Sequence, residues 1–177
     1  MCSRFELSEE VRALFVSLGL TVPPPWPNAT LFRPTDRALV VGRGQGRLLS
    51  WGLRVDWDKA PIINARMESV PDKPLFKRLL GKRILVPASA WWEWDAAKTK
   101  MRLARADGGL MTFAGLYDGD TFVILTRAAT PDLHHVHDRM PVLVDRRWVE
   151  GGPPLPLDAE ITVTVDAAPK PQGDLFG

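Results

Sequence analysis

Cys2 is the only cysteine of a 177-residue chain and stands beside the initiator methionine. A thiol there has no disulfide partner and sits where chains commonly fray. One reading makes it a small residue at a ragged end. The other removes Met1, leaving an α-amine and a thiol on adjacent carbons, two nucleophiles with reference pKa values of about 8 and about 8.5. Three further clusters carry reactive groups. "INARMES" sets Asn64, Arg66 and Glu68 at alternate positions, hence on one face of a strand. "AWWEWD" embeds the Glu93 carboxylate in tryptophans, where burial would raise its pKa and suit it to proton exchange near neutrality. "HHVHDRMP" holds all three histidines of the chain. His135 and His137 share a face in a strand, His134 and His137 in a helix. Only two therefore converge, and no second thiolate completes a zinc site. No metal or cofactor is expected. The plainer alternatives are a solvated strand face for the polar alternation and a sheet edge for Glu93.

The elements that must position these groups are short. Ser8 is placed to cap a helix with Glu9 and Glu10 in its first turn, with Val11, Leu14, Phe15 and Leu18 on one face and Gly19 at its end. "TVPPPWPNAT" is too proline-rich for helix or central strand. Strands are predicted at "RALVV" and "RLLSWGL" around the glycine-rich "GRGQG". Others follow at "APIINAR", "RILVPA", "AWWEW", "KMRLAR", "LMTFAGLY", "TFVILTRA", "MPVLV" and "EITVTV". A short helix is predicted around "KPLFKRLL", stopping at Gly81, and a helical turn at Thr130-Pro131-Asp132. Many short strands with a few short helices predict an α+β fold of mostly antiparallel sheet, closed into a distorted barrel.

Composition bounds the function. A hydrophobic fraction of 45% supports a core in a single domain, expected over residues 2–166, with a flexible tail at 167–177. No apolar run approaches the ~20 residues of a membrane span, and the start lacks a secretory pattern, so a cytoplasmic monomer is expected. The formal charge of +2 does not announce nucleic-acid binding, though it permits a local basic patch. Seven tryptophans stand against one tyrosine, and the mid-chain ones, including Trp51, Trp57 and Trp94, suit either a core or a base-stacking platform.

Taken in order, "MCSR" (1–4), "WGL" (51–53), "NARME" (64–68), "VPASAWWEW" (86–94) and "HDRMP" (137–141) resemble the SOS-response-associated peptidase (SRAP) family. Its members protect abasic sites in single-stranded DNA by crosslinking to them. The resemblance implies an SRAP-type barrel and a thiazolidine crosslink between the lesion's aldehyde and an N-terminal Cys2. It implies that Asn64 holds the sugar remnant, Glu93 moves protons, and His137 assists ring opening and reversal. It further implies phosphate contacts from Arg4, Arg66 and Arg139, base contacts from Trp51 and Trp94, and a DNA contact at Pro34. The expected partner is single-stranded DNA at replication forks or damaged nucleoid DNA. Ser3 departs from the family's glycine, the family's Tyr-Asn-x-Ala-Pro segment is reduced to "FRPTD" with Pro34 retained, and the region after 145 is short.

Two other functions compete: an N-terminal-nucleophile peptidase acting on itself or on a peptide, and a noncovalent single-strand binder in which Cys2 is incidental. The end of the chain, "QGDLF", resembles the peptides that dock on bacterial sliding clamps, with Gln172 orienting and Leu175 and Phe176 as apolar anchors. Deleting residues 172–177 is expected to abolish clamp capture in a pull-down and to leave reaction with naked DNA unchanged. Clamp binding by the truncated chain would refute the motif.

Overall fold

β-Branched and aromatic runs broken every few residues by Gly, Pro or Asp dictate short strands joined by tight turns. The computed structural model describes residues 2–153 and 160–166, so the expected tail with Gln172, Leu175 and Phe176 lies outside the described residues. The chain opens as β1 (Phe5–Glu6), α1 (Glu9–Arg12) and a 3₁₀ turn (Phe15–Leu18). Next come β2 (Leu31–Phe32), β3 (Arg37–Val41), β4 (Gly46–Trp51), β5 (Leu53–Val55), β6 (Asp58–Ile62) and β7 (Asn64–Arg66). A 3₁₀ turn (Met67–Ser69) and α2 (Pro74–Lys77) lead to β8 (Arg83–Ala88), β9 (Ala90–Trp94) and β10 (Lys100–Arg105). β11 (Met111–Asp118), β12 (Thr121–Ala128), β13 (Arg139–Pro141), a 3₁₀ turn (Arg146–Trp148) and β14 (Ile161–Val165) complete it.

Five strands close a ring in the order β11, β8, β3, β4, β12 and back to β11. Every pairing in the ring is antiparallel except β4 with β12. Closure removes free sheet edges, which is how an antiparallel fold of this size avoids pairing with other chains. A second sheet, ordered β14-β10-β9-β1-β2, is antiparallel throughout. Phe5 of β1 ties it to the ring. Its side chain stacks on Phe32 at 5.0 Å and meets Trp51 edge-on at 5.1 Å and Phe113 at 6.2 Å. The fold is therefore α+β, a distorted barrel of mostly antiparallel sheet with two short α-helices among the described residues. No helix among them is long and apolar enough to cross a membrane.

β12 carries the positioning. Its first half is flanked by β4 and β11, its second half by β7 and β13. β4 and β7 run in the same direction along the same edge, so the chain leaves that edge at Gly52 and rejoins it at Ile63. Gly52 N–H donates to the Phe122 carbonyl at 2.7 Å, and Ile124 N–H donates to the Ile63 carbonyl at 3.0 Å. Between them β5 and β6 form an outlying hairpin. The Trp51 indole closes its base by donating to the Ile63 carbonyl at 2.9 Å. Because β6 and β7 pair with different strands, the single strand expected at "APIINAR" is two.

Other expectations shift for local reasons. The helix expected from Ser8 to Gly19 is broken: the Ser17 hydroxyl donates to the Leu14 carbonyl at 2.6 Å, and Leu14 faces solvent. Ser8 makes no side-chain cap. β1 and β2, two residues each, are too short to leave a periodic signal.

Gly52 adopts φ +128, and a Cβ there would lie 2.6 Å from the Pro61 Cβ. Strain and overlap together predict that Gly52→Ala lowers stability by roughly 2–4 kcal/mol, measured by denaturant unfolding.

Candidate active site

From Cys2 onward the backbone is held by neighbouring strands. β1 lies between β2 and β9, and Trp92 N–H donates to the Arg4 carbonyl at 3.0 Å, so the backbone ahead of Phe5 runs along β9 toward Glu93. Cys2 is 1% exposed, its sulfur 3.8 Å from the Arg4 carbonyl. β7 brings Asn64 to it: the Asn64 Nδ2 donates to the Cys2 carbonyl at 2.7 Å. The Asn64 Oδ1 is buried and accepts no hydrogen bond among the described residues.

Glu93 is 2% exposed. Burial pushes its carboxyl up to about 7, and the Asp138 carboxylate adds to the rise. The Cys2 thiol is pushed far above its usual value, first by burial and then by the neighbouring Glu93 charge. Sulfur at rest is therefore a thiol, not a thiolate. β13 is preceded by His137, whose pKa burial lowers, so the ring is neutral at pH 7. Its Nδ1 accepts the Arg139 backbone N–H at 3.0 Å, which puts the ring proton on Nε2. The Asp138 Oδ1 stands 3.0 Å from the same Nδ1 and becomes its partner only in the protonated ring.

Cys2, Asn64 and Glu93 thus converge from the residues ahead of β1, from β7 and from β9, and Asp138 brings the turn bearing His137 up to Glu93. Among the described residues no His, Cys, Asp or Glu group could hold a metal.

The expected DNA contacts divide. Arg4 lies over the Trp94 ring at 5.6 Å, both partly exposed, and Arg66 is exposed. The Phe5–Phe32 register carries half-buried Pro34 toward the chain start, in a turn where Thr35 adopts φ +77. Trp51 is corrected: its ring is 0% exposed and serves as core and hairpin closure, out of reach of any base. Arg139 is corrected too. Its side chain is 10% exposed, donating to Glu68 Oε2 at 3.0 Å and to the Thr126 carbonyl at 2.8 Å. It clamps β13 to β12 rather than offering itself to phosphate. Glu68 falls in the turn after β7, so the expected alternation ends at Arg66. Sequence reasoning missed Asp138 as a neighbour of Glu93, although it adjoins His137. It did not separate Trp57 from the other tryptophans, yet Trp57 at the tip of the outlying hairpin is 73% exposed.

The chain matches the family described as SOS response associated peptidase (SRAP) over residues 1–151. Abasic site processing protein YoaM of Bacillus subtilis (strain 168) is 35% identical, the match covering 57% of this chain and 55% of that protein. YoqW of the same organism is 29% identical, covering 84% and 80%. Abasic site processing protein YedK of Escherichia coli (strain K12) is 33% identical, covering 56% and 52%. The chain thus spans about half the length of YoaM and YedK. A Bordetella bronchiseptica protein of known structure superposes with a TM-score of 0.79 at 19% identity, covering 94% of this chain and 100% of that one. A Bacteroides thetaiotaomicron protein gives a TM-score of 0.78 at 18% identity, covering 93% and 91%. Both share the fold.

The Glu93 shift sets a pH dependence. From the ordinary value of 4.5 to about 7 the folded chain keeps a proton that the unfolded chain has released, so stability falls as pH rises through that interval. The loss is expected to reach roughly 3 kcal/mol, and Glu93→Gln is expected to remove it from denaturant midpoints measured at intervals between pH 4 and 8.

Proposed function

We propose, since this chain belongs to the SOS response associated peptidase family, that it captures abasic sites in single-stranded DNA covalently through Cys2. One observation carries the reading: Asn64 fastens the Cys2 backbone beside a buried carboxyl whose pKa is near neutrality. The relatives named above as abasic site processing proteins support the substrate class.

An abasic deoxyribose opens in part to an aldehyde. Once Met1 is removed, the Cys2 α-amine adds to that carbonyl, and loss of water gives an imine. The thiol then adds to the imine carbon: a C–S bond forms, the sulfur proton passes to the Glu93 carboxylate, and the nitrogen regains a proton. The product is a five-membered thiazolidine, closed within one residue and so favoured by proximity. The raised thiol pKa sets the order of events, with the amine acting first and sulfur waiting for a base. The same property counts against a peptidase whose nucleophile is a standing thiolate. Asn64 Oδ1 accepts from the sugar or the new ring, and neutral His137 assists opening of the sugar hemiacetal. Arg4 and Arg66 contact phosphates, while Trp94, Trp57 and Pro34 contact bases beside the lesion. An unpaired strand suits the site because the lesion needs no unstacking from a partner. The terminal segment with Gln172, Leu175 and Phe176 tethers this activity to the replication clamp.

The test is a denaturing gel of protein mixed with a single-stranded oligonucleotide bearing one abasic site. A shifted band is expected, with intact mass showing Met1 absent. Cys2→Ala is expected to abolish the band. Glu93→Gln is expected to slow its formation by about 10²- to 10⁴-fold, the usual range for a proton-transfer group, and His137→Ala to slow formation or reversal. A Cys2→Ala protein that crosslinks normally would falsify the mechanism.

A further inference from the structure

Among the described residues five arginines pair with a carboxylate: Arg78 with Asp118, Arg102 with Glu6, Arg105 with Asp107, Arg139 with Glu68 and Arg147 with Asp145. Of the arginines with no such pair among the described residues, three meet in one cleft of about 370 Å³. The β3–β4 hairpin gives it Arg43, Gln45 and Arg47, the start of β8 gives Arg83, and the end of β11 gives Tyr117. No Asp or Glu lines it among the described residues. Two acids adjoin lining residues in sequence: Asp118 is taken by Arg78 and Lys82, and Glu150 acts on Arg147.

The cationic groups are arranged, not scattered. The Arg83 guanidinium lies 4.1 Å over the Trp148 ring. Its Nε donates to the Leu80 carbonyl at 3.0 Å and its Nη1 to the Gly152 carbonyl at 2.7 Å. These bonds fix the fork and leave Nη2 without a hydrogen-bond acceptor among the described residues. Burial without a neutralising carboxylate lowers the Arg83 pKa. Arg43 spends one N–H on the Val149 carbonyl at 3.3 Å, and Arg47 has no ion pair among the described residues. Folding therefore gathers three positive charges at one place, with no carboxylate paired to them among the described residues, which favours a bound anion. β8 runs from this cleft toward β9 and Glu93, so at ~3.3 Å per residue the two sites lie at opposite ends of a six-residue strand.

We propose that this cleft binds a nucleoside phosphate, with the phosphate on Arg43, Arg47 and the Arg83 Nη2 and the base against Tyr117. Guanidinium forks match phosphate oxygens in pairs, and a lone tyrosine beside them offers an aromatic face to any base. A cleft of this volume is within the range of small-ligand sites. A free nucleotide and a nucleotide within a DNA strand present the same chemistry, and the experiment tells them apart.

The full chain is titrated calorimetrically at low salt with dAMP, with inorganic phosphate and with a long undamaged single strand. Saturable dAMP binding is expected, weakened about tenfold or more by the Arg43→Ala/Arg47→Ala double variant. Tyr117→Leu is expected to weaken dAMP but not inorganic phosphate. Both arginines are exposed, so the double variant is expected to melt like the parent, and Arg47→Glu alone provides a second reading of the same charge. If dAMP fails to bind but the strand loses affinity and salt dependence in the double variant, the cleft holds a nucleotide of the strand. If neither small anion binds and strand affinity is unchanged by the substitutions, the proposal is overturned. Capture of an abasic oligonucleotide, followed in parallel, reads Cys2 alone. Its failure would remove the proposed function and leave the outcome at the cleft untouched.

Discussion

Backbone hydrogen bonding along β12 is the constraint from which the candidate site follows. A strand has two edges and each edge can pair with only one neighbouring strand at a given residue, so four strands must share β12 by length. β4 and β11 take its first half, and β7 and β13 take its second. That division places Asn64 on one flank and the turn bearing His137 on the other. The Arg139 guanidinium then crosses from β13 to the Thr126 carbonyl and on to Glu68, locking the two flanks together. The chain start reaches the same place by a separate route, through β1 and the aromatic contacts of Phe5.

Burial does the chemical work in this arrangement. A carboxyl in water would be fully ionised at pH 7 and a poor proton carrier, whereas burial brings Glu93 to about 7. The same exclusion of water suppresses the Cys2 thiolate. One physical cause thus quiets the sulfur and, in the proposed mechanism, supplies the base that acts on it.

Much of this was legible in the residues. Glu93 sits among Trp91, Trp92 and Trp94, and such company leaves a carboxylate little choice but the interior. The strands of the ring announced themselves because each is a run of apolar or β-branched residues ended by Gly, Asp or Pro. Trp51 and Arg139 were misjudged for a common reason. Which aromatic faces solvent and which guanidinium already has a carboxylate depend on partners far along the chain, here Ile63 for one and Glu68 for the other. Local pattern carries no record of them. The split of "APIINAR" into two strands was hidden likewise, since alternation looks the same whichever neighbour a strand pairs with.

The indole–carbonyl bond from Trp51 to Ile63 separates two parts of the chain. It pinches the departure and the return of the chain together at the root of the β5–β6 excursion. Leu53 beyond that pinch still belongs to the core, whereas the tip around Trp57 is exposed and makes no hydrogen bond to Asn64 among the described residues. The exposed finger and the held Cys2–Asn64 contact thus occupy opposite sides of one indole–carbonyl bond.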